Sequence, residues 1–257
     1  MSLTSLVLRV AAPLPRLERF QRYLFIGPHP DDIEIGAGAT AAKLAAAGKQ
    51  VCFLICTDGR YGLGNAPAGT TPEGLVEIRR EEAHRSATLL GVQDLRFLDF
   101  SDGGLYAEDA LFRAVARVVG NFKPDLIFAP DPDVTSECHV DHRRVGDIAR
   151  KVACFAPYQE LMAAYVADAA DVQAIAFYMT AKPDRIVDTR GYLPRQLDAI
   201  FSCHVSQFPP QFEGSKALAL YLKLRAIDHG LRRLSPSGEG FRVLGQTQMH
   251  CIPEAGK

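Results

Sequence analysis

His29-Pro30-Asp31-Asp32 places an imidazole and two carboxylates side by side, and His139-Val140-Asp141-His142 adds two imidazoles and a further carboxylate. Imidazole and carboxylate are the donors that hold a borderline cation such as Zn2+. A tight loop stiffened by Pro30 can turn His29 and Asp32 toward one ion. The spacing of His139 and His142 brings both rings to one side of a helical turn, so a third ligand can come from that motif. Two His and one carboxylate leave a fourth position for water, whereas structural zinc sites close with four protein ligands, often thiolates. Zinc lowers the pKa of such a water to roughly 7. Asp31, next to a ligand, can take the proton as attack begins. His139 as a charged imidazole can support the tetrahedral oxyanion, and either protonated Asp31 or His139 can protonate a leaving amine. The chemistry these residues imply is hydrolysis by a water made nucleophilic at a metal.

Positioning these groups requires rigid elements just before them. Tyr23–Gly27 and Val51–Cys56 read as strands around an Ala-rich helix, Ile35–Ala47, stopped by Gly48. The alternation continues with a helix over 73–90 ended by Gly91, a strand at Leu95–Leu98, a helix over 108–121 and a strand at Leu126–Ala129. Further on, 174–178 and 241–244 read as strands, and 193–201 and 215–234 as helices. The pattern predicts a single α/β domain over 1–257, with an N-terminal extension to residue 20, the motifs within 23–155 and a mainly parallel, Rossmann-like sheet carrying helices on both faces. Both motifs follow strands, where ligands sit in open α/β sheets. The Pro- and Gly-rich stretch 62–72 reads as a functional loop.

The chain's 257 residues can bury a sizeable core, and 29 Lys and Arg against 30 Asp and Glu leave no basic excess for nucleic acid or an anionic membrane. A small-molecule substrate fits this balance. Six cysteines without a C-x-x-C pair, Cys138 and Cys251 among them, read as buried reduced thiols of a cytoplasmic protein. The run Leu6-Val7-Leu8, cut by Arg9, is too short for a signal peptide or a membrane span.

His29-Pro30-Asp31-Asp32-Ile33-Glu34-Ile35-Gly36 joined to His139-x-x-His142 resembles the PIG-L/LmbE-like zinc-dependent N-deacetylases. The resemblance extends over Thr57-Asp58-Gly59, Arg79 with Glu82, Leu90-Gly91 and Asp102-Gly103-Gly104, and touches His204-Val205-Ser206-Gln207. It implies zinc on His29, Asp32 and His142, Asp31 as the base, and an N-acetylglucosamine-type substrate near Arg79 and Asp102. Ferrous iron suits the same ligands. The resemblance also implies a homo-oligomer of unstated number. An amidase for a larger acyl or thiol-conjugate group, or a non-catalytic sugar-binding protein, would use the same fold.

Plainer readings stand beside these. Arg79 lies among Arg80, Glu81 and Glu82, as on a solvated helix face, and Asp102 suits a turn. Asp141 could orient His29 or His139, or cap the next helix. Gly36-Ala37-Gly38 imitates a dinucleotide fingerprint but begins too far beyond the first strand. Glu34 and His204 have no assigned role.

Overall fold

The computed structural model describes residue 7 and residues 10–250; Leu6, Leu8 and Cys251 lie outside them. Seven strands form one sheet: β1 (Arg22–Gly27), β2 (Gln50–Thr57), β3 (Asp94–Phe100), β4 (Leu126–Pro130), β5 (Ala174–Tyr178), β6 (Arg185–Asp188) and β7 (Gly238–Gly245). Their spatial order is β3-β2-β1-β4-β5-β7-β6. The first five run parallel, and β7 is antiparallel to both β5 and β6. The expected α/β, mainly parallel architecture is what the chain adopts.

Alternate residues of each central strand serve opposite faces, as the two-residue period demands. Leu24 and Ile26 of β1 join one apolar cluster with α3 (Glu108–Phe122) and α4 (Val140–Phe155). Tyr23 and Phe25 join the other, with α1 (Asp32–Ala46) and α2 (Pro72–Leu90). Three helices follow: α5 (Gln159–Ala164), α6 (Leu193–Asp198), continued by a π-turn over Ala199–Cys203, and α7 (Glu213–Leu231). Gly91 closes α2 in the left-handed conformation expected of a C-terminal glycine.

Two sequence expectations shift. The last helix ends at Leu231, not residue 234, because Gly230 is pressed against Ser235 and Ser237 as the chain turns back. β6, only Arg-Ile-Val-Asp, is too short and too polar at its ends to announce itself.

Helix α1 is broken at Ala37 (φ −152°, ψ 15°). The buried Glu239 of β7 accepts from the freed amides of Ala39 (3.1 Å) and Thr40 (2.7 Å), while Gln196 Nε2 donates to the carbonyls of Glu34 (2.8 Å) and Ile35 (3.3 Å). Each orphaned group therefore has a partner. Gly36 lies in this helix, with the Tyr178 ring where a Cβ would stand (2.1 Å), so the imitation fingerprint is packing and no phosphate turn.

Burial pushes the Glu239 carboxyl up to about 7 against the bonds from Thr40 and Ala39 that favour its charge. An acid raised in the folded state keeps its proton there while the unfolded chain releases it. Stability is thus lost as pH rises from the unfolded value near 4.5 through about 7. Glu239→Gln, which cannot ionise, should gain in melting temperature relative to the parent across that window. A constant difference between the two at every pH would contradict the assignment.

Candidate active site

β1 and β4 are neighbours, and the chain leaves them toward opposite sides of the sheet, β1 to β2 and β4 to β5. Such a switch point opens a crevice beyond the strand ends. The loop after β1 delivers His29, Asp31 and Asp32 into it, and the loop after β4 delivers His139, Asp141 and His142.

The two halves meet on Asp32. His29 Nδ1 lies 3.0 Å from its Oδ2 and His142 Nε2 lies 3.3 Å from its Oδ1. The outer nitrogens are held by other carboxylates, His29 Nε2 by Asp141 (3.2 Å) and His142 Nδ1 by Glu137 (2.9 Å). This carboxylate–imidazole order turns an inner lone pair toward a shared cation. One donor atom from each of His29, Asp32 and His142 falls within a mutual 4.8 Å, the span of a single ion's ligand shell.

Electrostatics agree with that fit. Burial opposes charge on both rings, yet Asp141 and Asp32 raise His29 to about 10, and Asp32 raises His142 to about 9. Burial likewise opposes charge on Asp32, but His142 and His29 hold it well below the usual carboxylate range. The cluster requires concentrated positive charge around Asp32, which one divalent cation supplies while leaving both rings neutral.

A second grouping, His29 with His139 and Asp141, is also geometrically close. Asp141, however, already accepts from the amides of Gly103 (2.7 Å) and Gly104 (2.8 Å), so it serves as a fixed orienter of His29. Of the two readings open for Asp141, capping falls away, because the cap of α4 is His139, whose Nδ1 accepts from the Asp141 amide (3.3 Å). That bond leaves the proton of His139 on Nε2. Burial and the neighbouring His29 and His142 lower the basicity of His139. That lowering disfavours the charged imidazole expected from the sequence, and the Nε2 hydrogen remains a donor in either state.

Asp31 is buried with a backbone φ of 137°, outside the range that most side chains accept. Its Oδ2 accepts from Arg79 Nη2 at 2.9 Å. Burial, against the pull of Arg79, pushes the carboxyl up to about 6. Arg79 is 4% exposed, so the solvated-face reading fails. Its Nη1 donates to Gly59 O (3.1 Å) and Nη2 also to Pro30 O (2.8 Å), tying both loops to the base. Arg79→Ala would leave Asp31 buried without its partner. We expect a loss of about 3–5 kcal/mol in denaturant unfolding, with Arg79→Lys restoring only part; a change within experimental error would contradict the pairing.

A cavity of about 280 Å3 opens beside these groups, lined by His29, Asp31, Tyr61, Gly62, Arg79, Asp102, Gly103, His139 and Gln207. Asp102 accepts from the Tyr61 amide through Oδ2 (3.3 Å), while its Oδ1 is buried with no protein partner. A larger groove of about 440 Å3 lies across the His139 loop, where Arg144 meets Glu108 and Arg150 meets Asp133.

His204 and Ser206 anchor the far wall. His204 Nε2 meets Glu34 at 3.3 Å, and Ser206 donates to Glu82 through both its amide (2.8 Å) and its hydroxyl (2.7 Å). Glu34, also bonded by Ser86, is thus a buried tether, and Gln207 is carried to the cavity, its Nε2 on Gly62 O at 3.0 Å. Tyr61, Glu137 and Gln207 went unread as site residues in the sequence. Only the last had a signal, in its His-x-Ser-Gln context. Cys138, expected to be buried, is exposed beside His139. Among the described residues no helix is long and apolar enough to cross a membrane.

Residues 24–153 match the model of the family described as PIG-L, GlcNAc-PI de-N-acetylase. The chain is 32% identical to a diacetylchitobiose deacetylase of Thermococcus kodakarensis, over 91% of its own length and 87% of the relative's. It is 35% identical to a 1D-myo-inositol 2-acetamido-2-deoxy-α-D-glucopyranoside deacetylase of Kineococcus radiotolerans, over 55% of this chain and 39% of that one. The solved N,N'-diacetylchitobiose deacetylase of Pyrococcus horikoshii superimposes with a TM-score of 0.83 at 32% identity, covering 92% of this chain and 88% of the other.

Proposed function

The chain belongs to the PIG-L family of de-N-acetylases, and from that footing we propose that it is a zinc-dependent hydrolase releasing acetate from an N-acetylglucosamine-type sugar or its conjugate. The observation that carries this reading is the convergence of His29, Asp32 and His142 beside a cavity that Asp31 and His139 also line. We read the chain as one domain over 1–257. Cys52 and Cys56, buried free thiols, support a cytoplasmic setting, and the partner is a small N-acetylated molecule.

His29, Asp32 and His142 would hold the zinc, which would supply Lewis acidity toward water and the acetamide carbonyl. Asp31 has one oxygen held by Arg79 and uses the other to take the proton of the attacking water. His139 donates its Nε2 hydrogen to the oxyanion. Of the two acid candidates we assign Asp31, since the carboxyl that has taken the water's proton can return it to the leaving amine. Arg79, chiefly bonded to Asp31, and Asp102, with a free buried oxygen, border the sugar. The cavity sits at the small end of ligand sites, suiting one acetamido ring with the rest of the substrate emerging past Tyr61.

A panel of diacetylchitobiose, N-acetylglucosaminyl-inositol and a longer N-acyl analogue tests this. Acetate release from either acetylated sugar supports the proposal. Cleavage of the longer acyl amide alone would make the chain an amidase, and binding without cleavage would make it a sugar-binding protein.

A further inference from the structure

Gln207 ends a short segment whose polar groups are pinned one after another. His204 is fixed on Glu34 and Ser206 on Glu82, both buried, while the intervening Val205 is exposed. The backbone of Gln207 is held as well, its amide donating to His204 O (3.1 Å) and its carbonyl accepting from Asn65 Nδ2 (2.8 Å). What this scaffold delivers to the cavity is one side-chain amide. Only one orientation of that amide fits. Gly62 O (3.0 Å) can only accept, and Ser206 Oγ (3.3 Å) has given its hydrogen to Glu82, so the group facing both is the NH2. Its two hydrogens are thereby used. Oε1 is left as an acceptor to which no other described residue donates.

Oε1 and Arg79 Nη1 stand 2.8 and 2.9 Å from the point a Gly62 Cβ would occupy, so they are near neighbours that only glycine admits together. Arg79 holds Asp31, which places Oε1 beside the reacting groups. Asp102 Oδ1, buried without a partner, is a second acceptor on the same cavity. A ligand that satisfies both oxygens must bring donors, as a hydroxylated ring does and an acyl chain does not. We propose that Gln207 is a specificity-determining residue, its Oε1 accepting from a hydroxyl of the acetamido sugar. The proposal rests on the reading of the substrate as an N-acetylated sugar.

Zinc-loaded parent and Gln207→Met, which keeps the bulk and removes the acceptor, are compared on methyl N-acetylglucosaminide and its three monodeoxy forms. One monodeoxy sugar should cost the parent about tenfold in kcat/KM, and Gln207→Met should lose about as much on the full sugar but nothing further on that deoxy form. A merely structural role would lower all four sugars alike. Gln207→Glu, of equal size, would set oxygen against Gly62 O and the committed hydroxyl of Ser206, so it should fall below Gln207→Met on every sugar. If the parent cleaves none of the four, the same comparison made on binding by calorimetry reads the contact without catalysis. Losses that simply add between Gln207→Met and every deoxy sugar would overturn the proposal, as would parent binding of none of the four. Gln207→Glu matching the parent would overturn the orientation of the amide and the proposal with it.

Discussion

Asp32→Ala should yield a folded protein that holds no stoichiometric zinc and releases no measurable acetate. Asp32 is the residue on which both motifs converge, with one oxygen toward each imidazole. Without it, His29 and His142 face each other with no intervening negative charge, and only two protein donors remain for the ion. Loss of a carboxylate that merely orients a ligand costs about 10–100-fold in metal affinity, so loss of a ligand should exceed that range. Glu137→Ala, which frees only the outer nitrogen of His142, should fall inside it. Chelator competition followed by metal analysis distinguishes the two, and stoichiometric zinc retained by Asp32→Ala would remove Asp32 from the ligand set.

Asp31→Asn should behave oppositely, keeping the metal while losing about two or more decades of kcat, the contribution expected of a general base. The change is nearly isosteric. Asparagine also tolerates positive φ better than most residues, so the unusual backbone at 137° need not relax. Its amide oxygen can still accept from Arg79, keeping the loop in place while the proton acceptor is gone. Full zinc occupancy with near-normal turnover would refute the assigned mechanism.

What the sequence could disclose was whatever depends on neighbours along the chain. The βα alternation, the Gly91 stop and the placement of both motifs after strands all follow from periodicity and turn chemistry, and the structure has them where periodicity puts them. Two features escaped because they are made across space, and a third because it turns on a single local hydrogen bond. Arg79 looks solvated in its run of charges, yet α2 turns it inward onto Asp31, 48 positions away in sequence. The break at Ala37 is held by Gln196 and Glu239, distant by some 160 and 200 positions from the groups they bind. The tautomer of His139 depends on one amide bond at the start of α4, which spacing cannot express. The nature of the substrate was the part least written in local pattern, since a water made nucleophilic is common to many amide hydrolases.

The most direct test is acetate release from diacetylchitobiose by protein stripped of metal and then titrated with zinc. Activity should be absent at the outset, rise in proportion to bound zinc and level off at one ion per chain, with Asp31→Asn binding the same ion and remaining inactive. Acetate release that persists without metal, or a zinc-saturated parent that releases none from any N-acetylated sugar, would contradict the account.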